Sequence, residues 1–411
     1  MKTGSWIFSK IINKVMIKKR FVIIPLLLLI VVAIIMYRYQ ILRYSIETVI
    51  RKNLPPYVTV KKMVFDLKNS KAVFEGFGIK SPEGFSQEYL LQIKDIKCRY
   101  RMRSRNILQG IEILEPVFRD GALEIERLAD GRVNLSEMQK TMEKVSSETA
   151  KNQPPAATEE KAGKAGPIIK LSDIVKLPRE FVLKNGKISF LDRQARPGPH
   201  LITFENINAN FTLVLDEDYS KVTSFASTGN GNLNGNTSEV VKWVVSLDPT
   251  TPKLTMSNRF DVSGADIVSF EPYYDKYSPL VFKQGRFSGT LIFDFDNGSI
   301  GSTNEVHLSN LVFYVKEGYE NAAFWGTTVS ELVKYFRSPY GDIVFDFKIK
   351  GDMAAPQFYL GPISKRALAS MVIDKVSTAI QQASEKGSGD SAQGGKVKEY
   401  IDIFNALTNR Q

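Results

Sequence analysis

Past about residue 55 the chain alternates apolar and polar positions with a period of two, the pattern of a strand with one apolar face. Ile96, Cys98, Tyr100 and Met102 interleave with Lys97, Arg99, Arg101 and Arg103. Ile343, Phe345, Phe347 and Ile349 form a second row, Leu291, Phe293 and Phe295 a third, and Leu311, Phe313 and Val315 a fourth. Between such rows stand residues that accept positive φ cheaply. Asn185-Gly186, set between Val182-Leu183 and Ile188–Phe190, predicts a hairpin turn. Asp296-Asn297-Gly298-Ser299 and the stretch Gly229–Asn236 predict further turns. No strand–helix–strand rhythm is present, so the expected fold is mainly β with antiparallel strands.

Three stretches break the alternation. Phe21–Tyr37 is an uncharged apolar run, as a helix roughly 26 Å long against a hydrocarbon core of about 30 Å. Ile41 and Leu42 extend it past Arg38, which makes 21–42 the expected transmembrane anchor. The preceding segment, 1–20, carries Lys2, Lys10, Lys14, Lys18, Lys19 and Arg20 and no acid, which places it on the cytoplasmic side. No small-x-small cleavage site follows the run. Trp6–Ile17 fits a basic amphipathic helix on the inner membrane surface and equally a basic tail. The second break, 145–167, is rich in Ser, Ala, Glu, Lys, Gln, Pro and Gly and reads as a disordered linker between β regions at 55–140 and 169–360. Two domains or one sheet with an insertion both fit. The third break, 363–411, has an apolar stripe at helical spacing (Leu368, Met371, Val372, Val376) and then Tyr400, Ile401 and Phe404. It reads as C-terminal amphipathic helices that cap the sheet or contact a membrane or partner.

Charge and chemistry narrow the function. The formal net charge is +11, which suits nucleic acid or an anionic membrane surface. Beyond an anchor, nucleic acid is not an expected partner, and no aromatics interleave on the basic face for base stacking. Lys97, Arg99, Arg101, Arg103 and Arg105 point to one face of a strand and form a candidate site for anionic lipid headgroups, a solvated face being the plain alternative. A single cysteine, Cys98, excludes an internal disulfide, and two distant histidines, His200 and His307, give no metal site. Nucleophile elbows, phosphate-binding loops and zinc-protease motifs are absent, so neither catalysis nor a cofactor is expected. Asp294–Gly298 resembles a fragment of a calcium loop but lacks its closing glutamate; a hairpin turn is the better reading.

Several blocks are familiar in their order. Phe77–Phe85, with Ser81-Pro82-Glu83-Gly84-Phe85, resembles the strand and Asn-Pro-x-Gly-Phe turn of the AsmA-like family of bacterial envelope proteins, with Ser81 in place of the asparagine. Ile107–Ile113 and Glu115-Pro116-Val117 are similar to its strand pair ending in proline, and Glu126-Arg127 with Asp130–Leu135 to its closing turn. Val182–Asp192, Gly351-Asp352 and Pro356–Phe358 are similar to elements of DUF748-type members. The resemblance implies an inner-membrane, single-pass protein of a Gram-negative envelope, its bulk periplasmic. It also implies a curled antiparallel sheet forming an apolar groove that carries lipid or supports outer-membrane assembly. No catalytic residues come with it. Phe293, Phe295, Phe345 and Phe347 are then the candidate groove wall. Alternation alone is equally the pattern of a closed sandwich core. An adaptor that binds an envelope protein through a sheet edge or the C-terminal helices is the alternative function.

Overall fold

The computed structural model describes residues 40, 43–102, 111–151, 175–176, 178–216, 222–320, 323–324, 327–386, 398–399, 401–402 and 405. The chain is mainly β, as the alternation predicts. Its first elements are a helix at 43–53 (α1), β1 (Val58–Asp66), β2 (Lys71–Lys80), β3 (Tyr89–Met102), β4 (Ile111–Arg127), α2 (Asn134–Lys151), the two-residue β5 (Val175–Lys176) and β6 (Glu180–Asp192). Then come β7 (His200–Leu215), β8 (Val222–Leu233), β9 (Val240–Asp248), β10 (Thr255–Asp266), a 3-10 turn (Ile267–Phe270), α3 (Glu271–Tyr274), β11 (Leu280–Asp296) and β12 (Ser299–Val315). A small pair, β13 (Ala323–Phe324) and β14 (Thr327–Thr328), leads to α4 (Val329–Phe336), β15 (Ile343–Asp352), β16 (Gln357–Leu360) and α5 (Pro362–Lys386).

Apart from β13 and β14, all strands belong to one sheet, in the order β1-β2-β3-β4-β6-β7-β8-β9-β10-β11-β12-β15-β16, with β5 beside the start of β4. The regions 55–140 and 169–360 are therefore parts of a single sheet, joined where β4 pairs with β6. That sheet is mixed and not wholly antiparallel, because β4 and β6 run parallel. The cause is the connection. β4 closes level with the start of β1, and the chain between 128 and 179 returns to the opposite ends of the strands before β6 starts. A hairpin cannot make such a return, whereas a long crossover can. Part of the crossover is α2, which continues to Lys151, so the segment expected as linker from 145 begins as helix. The sheet is open and uncurled, where the resemblance implied a curled one, and its edge strands β1 and β16 do not pair with each other.

The Asn185-Gly186 hairpin does not exist. Both residues lie inside β6, where Asn185 has φ 55°. Positive φ serves a β-bulge as well as a turn, and the neighbours decide which. Gly76 (φ 63°) in β2, Asp120 (φ 50°) in β4 and Asn206 (φ 54°) in β7 lie in line with it; pairing skips Gly76 and Asp120 without a change of register, and the register shifts around Asn185 and Asn206. One line of left-handed residues thus crosses the first half of the sheet, tied by Asn185 Nδ2 donating to Asp120 Oδ1 at 2.6 Å. Of the other turns, Asn297-Gly298 (φ 44° and 87°) joins β11 to β12 as expected. Gly229 and Gly231 belong to β8, and only Asn234-Gly235 turns.

Clusters of buried apolar residues form at the two ends of the strand order, while β7 in the middle buries Ile207 and Ala209 outside any cluster. At the first, α1 packs Ile46 and Ile50 on Val60, Met63, Phe65 and Ala72. Arg51 of α1 donates to the carbonyls of Val60 (2.9 Å) and Lys61 (3.3 Å), covering backbone that edge strand β1 would otherwise expose. At the second, Val306, Leu308 and Ile343 pack with α4, while Leu368, Met371 and Val372 of α5 pack on Leu332, Tyr335 and Leu360. The start of α5 caps the sheet through Ser364, whose backbone N–H donates to Asp346 Oδ1 at 2.8 Å and whose hydroxyl donates to the Asp346 carbonyl at 2.7 Å. Among the described residues no helix is long and apolar enough to cross a membrane; the expected anchor at 21–42 lies outside them, apart from Gln40.

Candidate functional site

Residues directly opposite on paired strands share a face. Followed from strand to strand, the register therefore tells which side chains stand together. One such row crosses the whole sheet without a break: Met63, Phe74, Ile96, Phe118, Leu183, Ala209, Gly229, Trp243, Phe260, Leu291, Asn304, Phe347 and Leu360. All but Gly229 and Asn304 carry apolar side chains. Asn304 is buried and satisfied, with Nδ2 donating to Ser302 Oγ at 2.8 Å and Oδ1 accepting from the Ile292 N–H at 3.2 Å. The missing side chain at Gly229 admits Trp243, whose ring covers the position a Cβ would take. Trp243 in turn donates from Nε1 to Ser227 Oγ at 3.0 Å.

On one side the next row is mixed, with Phe181, Phe211, Val245 and Phe293 beside the buried Ser227, Asn258 and Ser302, and Phe181 and Phe211 stack at 4.6 Å between ring centres. Beyond it Phe295, Met256, Leu247, Phe225 and Leu213 form an apolar row. Opposite them the other face is polar: Asn208, Asn230, Lys242, Asp261, Thr290, Glu305 and Asp346 make a row of their own.

What covers the apolar face decides its meaning. Beneath a second sheet, large side chains at these positions would be closed off from water at native packing density. Instead Phe118, Leu183, Phe211, Phe225, Trp243 and Phe260 are all only half-buried. Buried clusters appear where α1 and where α4 and α5 lie, at the ends of the strand order, while the middle strands β6–β9 contribute to none of them. The apolar face is partly open there.

The four phenylalanines singled out from the sequence all lie on this face. Phe293 stands between Asn258 and Ser302, Phe295 between Met256 and Ile300, Phe345 opposite Val306, and Phe347 opposite Asn304. Each is half-buried. Phe347 stacks on Phe345 at 6.1 Å and on Phe358 at 5.2 Å, and Phe358 is 58% exposed at the open end. Rings at these separations attract beyond their burial by about 1 kcal/mol.

The basic row is elsewhere. Lys97, Arg99 and Arg101 are exposed on the opposite, polar face, since Ile96, Cys98 and Tyr100 point to the apolar one. Each also has an acid: Asp95 at 3.5 Å, Glu115 at 3.3 Å and Glu112 at 3.8 Å respectively. Such surface pairs are worth under about 1 kcal/mol, yet they offset much of the positive potential. Arg103 and Arg105 lie outside the described residues. The headgroup candidates and the phenylalanine candidates are thus not one site.

Sequence reading missed the acids at the ends of β4 and β6. Glu126 and Asp192 are 1% and 0% exposed. The pairs cross: Arg127 binds Asp192 through two nitrogens, and Arg193 Nε donates to Glu126 Oε1 at 2.6 Å. Glu126 Oε2 also accepts from the Ser86 N–H (2.7 Å) and hydroxyl (2.9 Å), and Asn134 holds the Glu126 N–H at 3.0 Å. Burial pushes both carboxyls up, but hydrogen bonds outweigh it and leave both below the ordinary range, from Arg193 and Ser86 on Glu126 and from Arg127 and the Gln194 N–H on Asp192. An available signal was the repeated acid–arginine dipeptide, Glu126-Arg127 and Asp192-Arg193, at the close of two strands. Fully paired acids make a structural clamp on the parallel seam. No group of three or more His, Cys, Asp or Glu able to hold a metal is found among the described residues. Compared with known proteins, the chain matches no family model and no curated sequence.

Proposed function

We propose that this chain is an AsmA-like envelope protein that binds or helps move lipid along the apolar face of its sheet, anchored in the inner membrane by 21–42 with its bulk in the periplasm. The observation that carries the reading is the row from Met63 to Leu360, apolar at all but Gly229 and Asn304, on a face that is half-open in its middle. A soluble surface rarely leaves such a continuous patch to water. Acyl chains are the ligand that suits it, because the contact they need is long, apolar and not directional. Two blocks of the family resemblance also meet in space: the loop after Phe77–Phe85 reaches Glu126 of the closing turn through Ser86, and Asn134 of that turn fixes the Glu126 backbone. In this reading the groove is the space over this face, its wall including Phe293, Phe295, Phe345 and Phe347, and no catalytic step is invoked.

The test is photo-crosslinking in native membranes, with benzoylphenylalanine in place of Phe260 or Phe293 on the apolar face and of Arg259 or Asp294 on the polar one. Lipid adducts at 260 and 293 only, found by mass spectrometry, are the expected result. Adducts on neither face, or equally on both, sink the proposal. A second reading, the protein-binding adaptor, is favoured by one observation: β16 is a four-residue edge strand with Phe358 exposed, while the β1 edge is covered by Arg51. Protein adducts with probes at 358 would favour it.

A further inference from the structure

A depression of about 710 Å³ opens on the polar face of β1–β4, apart from the apolar face and from the acid–arginine clamp. It lies along the line of left-handed residues, where Gly76 and Asp120 break the pairing of β2 and β4. Its size is within the range of about 300–1,000 Å³ usual for small-ligand sites.

Its lining limits what it could hold. Three lysines (Lys61, Lys94, Lys97) face three acids (Glu75, Asp95, Asp120). Lys94 pairs with Asp120 at 3.3 Å, and Glu75 is engaged from outside by Lys62 at 3.1 Å. A balanced site has no net field to concentrate a polyanion or a polycation. Acyl chains are equally unsuited, since filling the site would desolvate these charges. What remains is a neutral ligand with many hydroxyl groups.

Two features supply its recognition. The Tyr89 ring occupies the space over Gly78, where a Cβ would stand 2.7 Å from Cε1, so the absent side chain lets an aromatic ring pack against the sheet in the lining of the hollow. Unmet hydrogen-bonding groups stand next to it. Asp95 Oδ1 is buried and accepts no hydrogen bond, its ion pair with Lys97 Nζ standing at 3.5 Å, and the Gln92 side chain is exposed. An aromatic plate beside planar amide and carboxylate groups matches a sugar ring, whose C–H face stacks while its hydroxyls both donate and accept. We infer that this depression binds a neutral oligosaccharide, with Tyr89 as the stacking platform and Gln92 and Asp95 as hydrogen-bonding partners.

The inference does not depend on lipid binding, and its test uses the full chain in phospholipid nanodiscs, free of sugar-headed detergents that would compete. Saturation-transfer NMR with chitotetraose and maltotetraose as probes should show transfer to the ring protons of at least one. Tyr89→Ala should weaken binding roughly tenfold, the value of a good aromatic contact, while Tyr89→Phe retains it. Gln92→Ala, at an exposed position, should also weaken binding and guards against a Tyr89 variant that misfolds. Transfer to neither probe overturns the proposal, as does binding that survives both alanine variants. Binding confined to a sulfated oligosaccharide, and lost with added salt, would make the hollow an anion site and overturn it as well.

Discussion

Replacing Phe260 with alanine separates an open apolar face from a closed core. Phe260 stands in the middle of the long row, between Trp243 and Leu291, and is half-buried. Fully burying a phenylalanine is worth about 1.5–3 kcal/mol in transfer, and a ring still partly exposed keeps most of that, roughly 1–2 kcal/mol. A second loss, from the cavity left by a deleted core side chain, raises the usual Phe→Ala cost to about 3–5 kcal/mol. On an open face the space left by the ring joins solvent or lipid, so no cavity forms. The expected cost is therefore about 1–2 kcal/mol. Met63→Ala is the internal reference, because Met63 is 1% exposed beneath α1 and should lose about 2–5 kcal/mol. Pulse proteolysis of the full chain in nanodiscs across a urea series measures both. A loss of 3 kcal/mol or more at Phe260, similar to that at Met63, would mean that a second layer covers the face, and the argument for lipid would fail with it.

Four further outcomes are expected. Arg193→Ala leaves Glu126 buried beside Ser86 without its cation and should cost about 3 kcal/mol, toward the low end for a broken buried pair because Arg193 is partly exposed. In the native chain the Glu126 and Asp192 carboxyls sit below their ordinary range, so their stabilisation is full above the unfolded value of about 4 and is lost as pH falls through the folded values; a pH series of thermal melts should show this acid limb, displaced to higher pH in Arg193→Ala. Gly229→Ala puts a Cβ into Trp243 and 2.7 Å from the Asn208 carbonyl, and should destabilise by roughly 1–3 kcal/mol and red-shift tryptophan emission as the ring is displaced. Cys98, 7% exposed with its thiol pushed up to about 11 by burial, is on the order of a thousandth ionised at pH 8, so labelling by thiol reagents should follow local opening and not encounter; rapid labelling of the folded chain would contradict its placement.

Much of the face was legible because strand faces are a local property. In Ile343–Ile349 and Leu291–Phe295 the side-chain direction follows from period two alone, and the structure sets Phe293, Phe295, Phe345 and Phe347 on one side. The same reasoning put Lys97, Arg99 and Arg101 opposite Ile96, Cys98 and Tyr100. Lys97 pairs within its own strand with Asp95, but the acids of Arg99 and Arg101 came from another: Glu115 and Glu112 belong to β4, and nothing in β3 announces them. Asn185-Gly186 shows a second kind of limit. Its sequence states that a left-handed residue is tolerated, and only Asp120 and Asn206 on the neighbouring strands make it a bulge.

By itself, the amino-acid sequence determined that the chain is mainly β, which side chains share a face within each strand, where Asn297-Gly298 turns, and that the stretch Pro362–Lys386 is helical. Each of these depends on residues a few positions apart. Tertiary structure alone decided that β4 and β6 run parallel, that thirteen strands align into one largely apolar row, and that the large side chains in its middle stay only half-buried. It also brought Arg193 to Glu126 across 67 positions, and Tyr89 onto Gly78 beside a balanced set of charges. The physical reason is that hydrogen bonds between strands are made by backbone groups common to every residue, so the register across the sheet is chosen by the summed packing of the whole face and is written in no single segment.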